Sequence, residues 1–428
     1  MTHQSEMLER EGSQRDEAAP CIVKAESPVY GGYVIARDEK IVFVRGAVPG
    51  ELVEVSFDEK KRDYFLATVK NIIEPSPFRR TPPCRIFGIC GGCHLQFISY
   101  ERQVSMKEEI LLDALRRIGD INITLSPSLA GGEFRYRRRA QFKVSAEGAL
   151  GFYKEGTRDV VPVEECPLMV DEINDVIKRI RVMDLRGVKE LHLASGDTVT
   201  VLVKGDLGDD VAQGMLETGV AGVAFENGES IGKDYISLPM DGLKYSVTPW
   251  SFFQSNWALN RAMIDIVKER LGHLEDKRVL DLYAGAGNFS LPLSPGAKEV
   301  TAVEENGYAV EDGRRNIVMN GIKNCTFVHL PVESCFEGGK KQRTAKLFGD
   351  ADYDLIVLDP PRPGLSSDFL RRILEISAER IVYVSCNPAT LARDLRKMKE
   401  KYDLEAVYMG DFFPNTYHIE SLVFLSRR

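Results

Sequence analysis

No run of apolar residues in this chain of 428 is long enough to cross a bilayer, so no helical membrane span is expected. The first twenty residues carry five acids and lack an apolar h-region, so no secretory signal is read there. Both absences point to a cytoplasmic protein without membrane association, where thiols stay reduced. Net positive charge is also missing. The formal net charge is −8, which works against binding a polyanion, because phosphate contacts need local positive charge. The sequence has no internal repeat.

What is present is an ordinary globular composition, 43% hydrophobic and 28% charged. The length calls for two or three domains. The average charge conceals clusters. Residues 133–143 hold five basic side chains against one acid, with aromatics interleaved. Lys60, Lys61 and Arg62 form a second patch, and Arg79 with Arg80 a third. A solvated face explains any one of them, whereas all three with the motifs below suit phosphates and stacked bases. Eight cysteines in a reducing compartment suggest metal or catalytic roles before disulfides.

Residues 1–20 read as a disordered tail. From Cys21 to about residue 78, short alternating strands separated by Gly31-Gly32 and Pro49-Gly50 suggest a small β-barrel. Residues 79–250 read as a central, mixed, strand-rich domain that contains one clear amphipathic helix over 100–118. From 251 to 428, helices alternate with β-branched strands, which predicts an α/β domain with a mostly parallel sheet.

Within that domain, Val279-Leu-Asp-Leu-Tyr-Ala-Gly-Ala-Gly reads as a buried strand running into a glycine turn, with Gly285 and Gly287 letting backbone approach a ligand. The next strand ends in Glu304, where a carboxylate suits two ribose hydroxyls. Ser290 stands where a dinucleotide fingerprint needs its third glycine, and Asp281 precedes the turn. Both features favour a methyl donor over NAD.

Two later strand ends carry Asp359-Pro-Pro-Arg-Pro-Gly and Ser385-Cys386-Asn-Pro, and His418-Ile-Glu420 precedes the closing strand. One cysteine, one carboxylate and a methyl donor suffice for methylating uracil C5, a carbon too weakly nucleophilic alone. Cys386 is the candidate nucleophile, Glu420 the candidate base, and Asp359 a group contacting base or donor. A buried structural thiol, a surface carboxylate and a turn residue are the bland alternatives. Arg362 stands where amino-group methyltransferases place an aromatic, and Pro360-Pro361 where cytosine C5 enzymes carry a cysteine. Both departures favour uracil.

Cys84, Cys90 and Cys93 form C-x5-C-G-G-C, and Cys166 precedes Pro167. Three close cysteines and one distant Cys-Pro look more like a [4Fe–4S] ligand set than like paired zinc knuckles. Cys21, Cys325 and Cys335 receive no role.

With these motifs and Phe252-Phe-Gln-Ser-Asn256, the chain resembles the RNA uracil-C5 methyltransferase family, in its iron–sulfur branch that modifies 23S ribosomal RNA. The resemblance runs from about residue 20 to the C-terminus. It implies a Rossmann-like S-adenosylmethionine-dependent catalytic domain, a TRAM-type, OB-like barrel over 21–78, and a central iron–sulfur domain whose segment 99–120 packs on the catalytic domain. It also implies that Gln254, Tyr283, Asn288, Glu304 and Asp359 line the pocket for S-adenosylmethionine and the base. Cys386 would be the nucleophile and Glu420 the proton acceptor. Relatives tend to place a polar residue near Pro331, which offers no side-chain hydrogen bond here. The RNA contacts expected are Arg135, Arg137, Arg138, Arg139 and Phe253, with Tyr136 a second stacking candidate. The expected enzyme is a monomer acting on 23S ribosomal RNA. Alternatives are a transfer RNA T-loop enzyme and a non-catalytic iron–sulfur RNA-binding protein, the latter opposed by intact Cys386 and Glu420.

Overall fold

The computed structural model describes residues 21–335 and 353–428. The tail expected over 1–20 lies outside the described residues. The chain divides into two compact units, one ending at Arg79 and one running from Arg80 to Arg428.

The first unit is a closed barrel of β1 (Cys21–Val29), β2 (Tyr33–Arg37), β3 (Ile41–Arg45), β4 (Leu52–Lys60) and β5 (Tyr64–Glu74), ordered β1-β2-β3-β5-β4. Its interior is small and β-branched: Val23, Ala25, Val34, Ala36, Val42, Val44, Val53 and Val55 point inward at alternate positions. Glu51 is fully buried and holds the unit's closing segment. Its carboxylate accepts from Arg79 through two 2.6 Å bonds and from the Val48 and Ser76 amides at 2.8 and 3.1 Å. Burial works to raise its pKa, yet these donors outweigh it and hold Glu51 below the usual carboxylate value.

The second unit contains two large sheets. One has seven strands in the order β13 (Ser230–Gly232), β12 (Val220–Phe225), β11 (Val199–Gly205), β10 (Val188–Ser195), β7 (Arg139–Val144), β8 (Leu150–Tyr153) and β9 (Val160–Pro162). Helices Asp171–Ile180 and Asp209–Leu216 bury Ile173, Val176, Ile177, Ala212 and Met215 against it. A hairpin of β14 (Ile236–Met240) and β15 (Leu243–Val247) follows.

The other sheet has eight strands, ordered β18 (Cys325–His329), β17 (Glu299–Glu304), β16 (Arg278–Leu282), β19 (Leu355–Leu358), β20 (Arg380–Ser385), β22 (Glu420–Arg427), β21 (Tyr402–Gly410) and β6 (Ser126–Leu129). Neighbours are parallel except at β22, which runs antiparallel to β20 and β21. Every residue of β19 is buried, as expected for a parallel strand covered on both faces. Strand order reverses at β16, between β17 and β19, the switch point where open α/β sheets bind ligands. The sequence did not reveal β6, a four-residue strand containing Pro127. An edge position makes that proline tolerable.

Residues 411–419, between β21 and β22, are fastened from below. Helix Tyr100–Arg117 sends Lys107 to Asp411 at 2.6 Å and to the Phe413 carbonyl at 3.2 Å. The ion pair is almost wholly buried, at 1% and 0% side-chain exposure. Burial pushes the ammonium down and the carboxyl up, and each charge offsets the cost of the other. Replacing one partner strands the other. Lys107→Met is therefore expected to lower stability by about 3–5 kcal/mol, read as a shift in urea midpoint at unchanged slope. A change under about 1 kcal/mol would mean the pair carries no such load.

Candidate active site

The turn after β16 is strained where a ligand could approach. Tyr283 has φ +65° without being glycine. Gly287 sits at φ +99°, which L side chains rarely adopt, and a Cβ there would press on the Leu291 and Phe327 side chains. Glu304, half-buried at the end of β17, accepts from the Gly285 amide at 2.9 Å and the Asn306 amide at 2.7 Å. Beneath the turn, Asp281 is fully buried. Its Oδ2 accepts from Ser290, while Oδ1 has no partner. Burial lifts its pKa to about 7.

A small cavity at this turn is lined by Gln254, Tyr283, Gly285, Asn288 and Asp359, among others. Four of the five residues expected around the methyl donor are thus together, and Glu304 joins them through Gly285. Asn288 forms a reciprocal amide pair with Asn260, at 2.7 and 3.1 Å. Burial, with the charge of Glu304 added, raises Asp359 to about 7.

Cys386 and Glu420 meet through strand register. The antiparallel ladder of β20 and β22 ends with Ser385 opposite Ser421. Cys386 directly follows β20 and Glu420 opens β22, so the end of this ladder brings the two residues to one edge of the sheet. Both line a cavity of about 520 Å³ with Arg362 and His418. Burial, then the charges of Glu420 and Asp359, push the Cys386 thiol up to about 12, against the pull of Arg362. Burial and Asp359 likewise raise Glu420 well above the ordinary carboxyl value. Arg362 donates to the His418 ring at 3.1 Å. Burial first, then nearby cations led by Arg362, hold His418 down to about 3, so the imidazole is neutral. The sequence reading gave neither residue a role, although both sit inside motifs it singled out.

Cys84, Cys90, Cys93 and Cys166 line the same cavity. None is in a disulfide. Among the described residues no three His, Cys, Asp or Glu side chains are arranged to hold a metal ion.

The basic and aromatic expectations fare unevenly. Arg137 and Arg139 line the large cavity; Arg138 does not. Arg135 is neutralised by Glu165 and, at 3.3 Å, by Asp171. Arg79 and Arg80 are no phosphate patch, because Glu51 engages the first and Glu133 the second. Lys61 pairs with Glu59. Tyr136 is a core residue whose hydroxyl donates to the Pro414 carbonyl at 3.1 Å. Phe253 is 7% exposed, whereas Phe252 is 54% exposed. Phe252 also stacks with the Arg139 guanidinium, 5.2 Å from its ring centre, and lines the cavity of Cys386. The exposed ring of the pair is Phe252. Period-two alternation in a loop could not have told the two apart.

The doubly wound sheet with its glycine turn and acidic strand ends defines an S-adenosylmethionine-dependent methyltransferase fold. The crystal structure of the Pyrococcus abyssi tRNA (uracil-54, C5)-methyltransferase in complex with S-adenosyl-L-homocysteine superposes with a TM-score of 0.73 at 23% identity, covering 94% of this chain and 99% of that one. The profile of the tRNA (Uracil-5-)-methyltransferase family matches residues 206–428. An RNA methyltransferase of Aquifex aeolicus, named as uncharacterized, is 35% identical, covering 95% of this chain and 98% of its own. The 23S rRNA (uracil(1939)-C(5))-methyltransferase RlmD of Methylococcus capsulatus is also 35% identical, over 96% and 98%. This chain belongs to the RNA uracil-C5 methyltransferase family, whose enzymes use S-adenosylmethionine.

The electrostatics of Cys386 yield a direct test. A thiol held near 12 is almost entirely protonated at neutral pH. Alkylation of Cys386 by iodoacetamide, followed by peptide mass spectrometry, should rise about tenfold per pH unit from 7 through 10. A plateau near pH 9 would show an ordinary thiol.

Proposed function

We propose that this chain methylates C5 of a single uridine in 23S ribosomal RNA, at the position numbered 1939 in the names of its relatives. The observation that carries the chemistry is that Cys386 and Glu420 line one cavity at the end of the β20–β22 ladder, in the sheet that bears the glycine turn. Relatives matching nearly the whole chain support the ribosomal target. The fold shared with a tRNA uracil-54 enzyme keeps transfer RNA as a second reading.

In the proposed reaction the Cys386 thiolate adds to uracil C6, and the C5–C6 π pair moves toward O4 as an enolate. C5 then takes the methyl of the sulfonium donor, whose carbon–sulfur bond breaks. Glu420 removes the C5 proton, the double bond re-forms, and Cys386 leaves. A carboxyl raised well above its usual value is a stronger base once ionised, which suits this removal. Gln254, Tyr283, Asn288 and Asp359 line the small cavity proposed for the donor, and Glu304 reaches it through the Gly285 amide. Arg137, Arg139 and Phe252 are proposed to meet the RNA strand.

Cys84, Cys90, Cys93 and Cys166 are proposed to hold a [4Fe–4S] cluster. Four free thiols around one cavity support it. Four cysteine thiolates are the ligand complement such a cluster would take, and among the described residues no three side chains are arranged for a single ion. When bound, the cluster would supply a structural cross-link, because the reaction moves no electrons.

Cells lacking the protein should lose one 5-methyluridine from 23S ribosomal RNA and none from transfer RNA; the reverse pattern selects the second reading. Cys386→Ala should reduce methylation by at least about 10⁴-fold. Glu420→Gln should accumulate a covalent RNA adduct resistant to denaturation. Methylation by the Cys386 variant would sink the mechanism. Because both groups must be deprotonated, the single-turnover rate should climb with pH from 6 to 9.

A further inference from the structure

Gln96 is a fully buried carboxamide to which the proposed reaction gives no task. It lines the large cavity with the four clustered thiols. Two contacts fix its setting. Its Oε1 accepts from the Cys84 amide at 3.1 Å, and its main-chain carbonyl accepts from Arg80 Nε at 2.9 Å. With the oxygen committed to Cys84, the NH₂ group must face the other way. Its Nε2 is buried and meets no partner. Buried donors are rarely left so, and each exception calls for a reason.

The surroundings supply one. Gln96 shares its cavity with the thiols of Cys84, Cys90, Cys93 and Cys166. A neutral thiol is a weak acceptor, whereas a metal-bound thiolate is a strong one. The same loop repeats the arrangement, with the Gly92 amide donating to Cys90 Sγ at 3.4 Å. That loop is held in place by the Gly91 amide, which donates to the Tyr153 carbonyl at 2.9 Å. A Cβ at Gly91 would come within 3.1 Å of Glu155 Cα, so backbone fits there only without a side chain.

We infer that the Gln96 carboxamide is a positioning residue for the metal centre, bracing Cys84 through its oxygen and turning its buried N–H donor to the clustered thiolates. The inference rests on the [4Fe–4S] reading above. Hydrogen bonds to cluster sulfurs stabilise the more negative, reduced state and so raise the reduction potential. They also shield a sulfur from oxidants.

The test uses the full-length chain purified without oxygen. Gln96→Met keeps length and neutrality but has neither donor nor acceptor. Gln96→Asn withdraws the amide by one methylene and serves where the Met variant does not fold. Iron and acid-labile sulfide per chain, the midpoint potential and the rate of bleaching in air are measured on each. The expected result is a cluster that reduces at lower potential and bleaches faster in both variants. Lower iron content at unchanged potential would mean that Gln96 only braces Cys84, and would overturn the donor role. Wild-type protein without iron and sulfide would overturn the cluster reading itself, which separates the two failures.

Discussion

The turn that leads into β22 and Glu420 is fastened through one asparagine. Asn415 sits in the left-handed region at φ +66°, which asparagine tolerates better than most residues. Its Oδ1 accepts from Arg80 at 3.2 Å and Gln103 at 3.1 Å, and its Nδ2 donates to the Glu133 carbonyl at 2.9 Å. Its amide donates to Gln103 Oε1, and its carbonyl accepts from the amides of His94 and Leu95. One buried residue thus joins the segment after Cys93, helix Tyr100–Arg117, the basic stretch near residue 133 and the turn that leads into β22. Aspartate would lose the Nδ2 donor and glycine all three side-chain contacts. Lys107 and Asp411 secure the same turn at its other end. The proposed role of Glu420 as a base reaching one carbon of a nucleotide suits such a rigid approach.

The electrostatics of the site follow from packing acids around a thiol. Asp281 and Asp359 rise to about 7, and Glu420 is raised well above the ordinary carboxyl value, because each is buried and near another acid. Cys386 inherits that repulsion. Arg362 is the cation set against it, and its own position is fixed by its carbonyl, which accepts from Asn387 Nδ2 at 3.3 Å and Thr390 Oγ1 at 3.2 Å. The resting site is therefore a protonated one. A thiol held in this protonated form reacts slowly with oxidants and alkylating agents.

The parts of this architecture legible in sequence were those written in local pattern. Alternation gave the barrel, β-branched runs gave the parallel strands, and punctuation by glycine and Asp-Pro-Pro marked their carboxyl ends. Cys386 was visible because a cysteine followed by Asn-Pro stops a strand at its edge. What escaped was whatever depends on partners distant in sequence. Arg79, Arg80 and Arg135 look alike as charges, but each finds a carboxylate 28, 53 or 30 residues away. Strand β6 joins the edge of a sheet whose other seven strands all come later in the chain. Neither fact has a local signature, since the selecting term is tertiary packing.

The proposed metal centre and the proposed methylation site share a cavity although the chemistry moves no electrons. The segment from Cys84 to Ile98 has no helix or strand of its own and must be held by something else. At its far end His94 and Leu95 bond to the Asn415 carbonyl, and the His94 ring meets Tyr417 at 4.6 Å. Order in this loop is therefore order in the turn that delivers Glu420. A four-thiolate cross-link from Cys84, Cys90 and Cys93 to Cys166 would remove the loop's freedom at its near end, as a disulfide or metal clip does for other structureless segments. On the proposed reading the cluster acts on catalysis through the backbone, and its contribution is geometric.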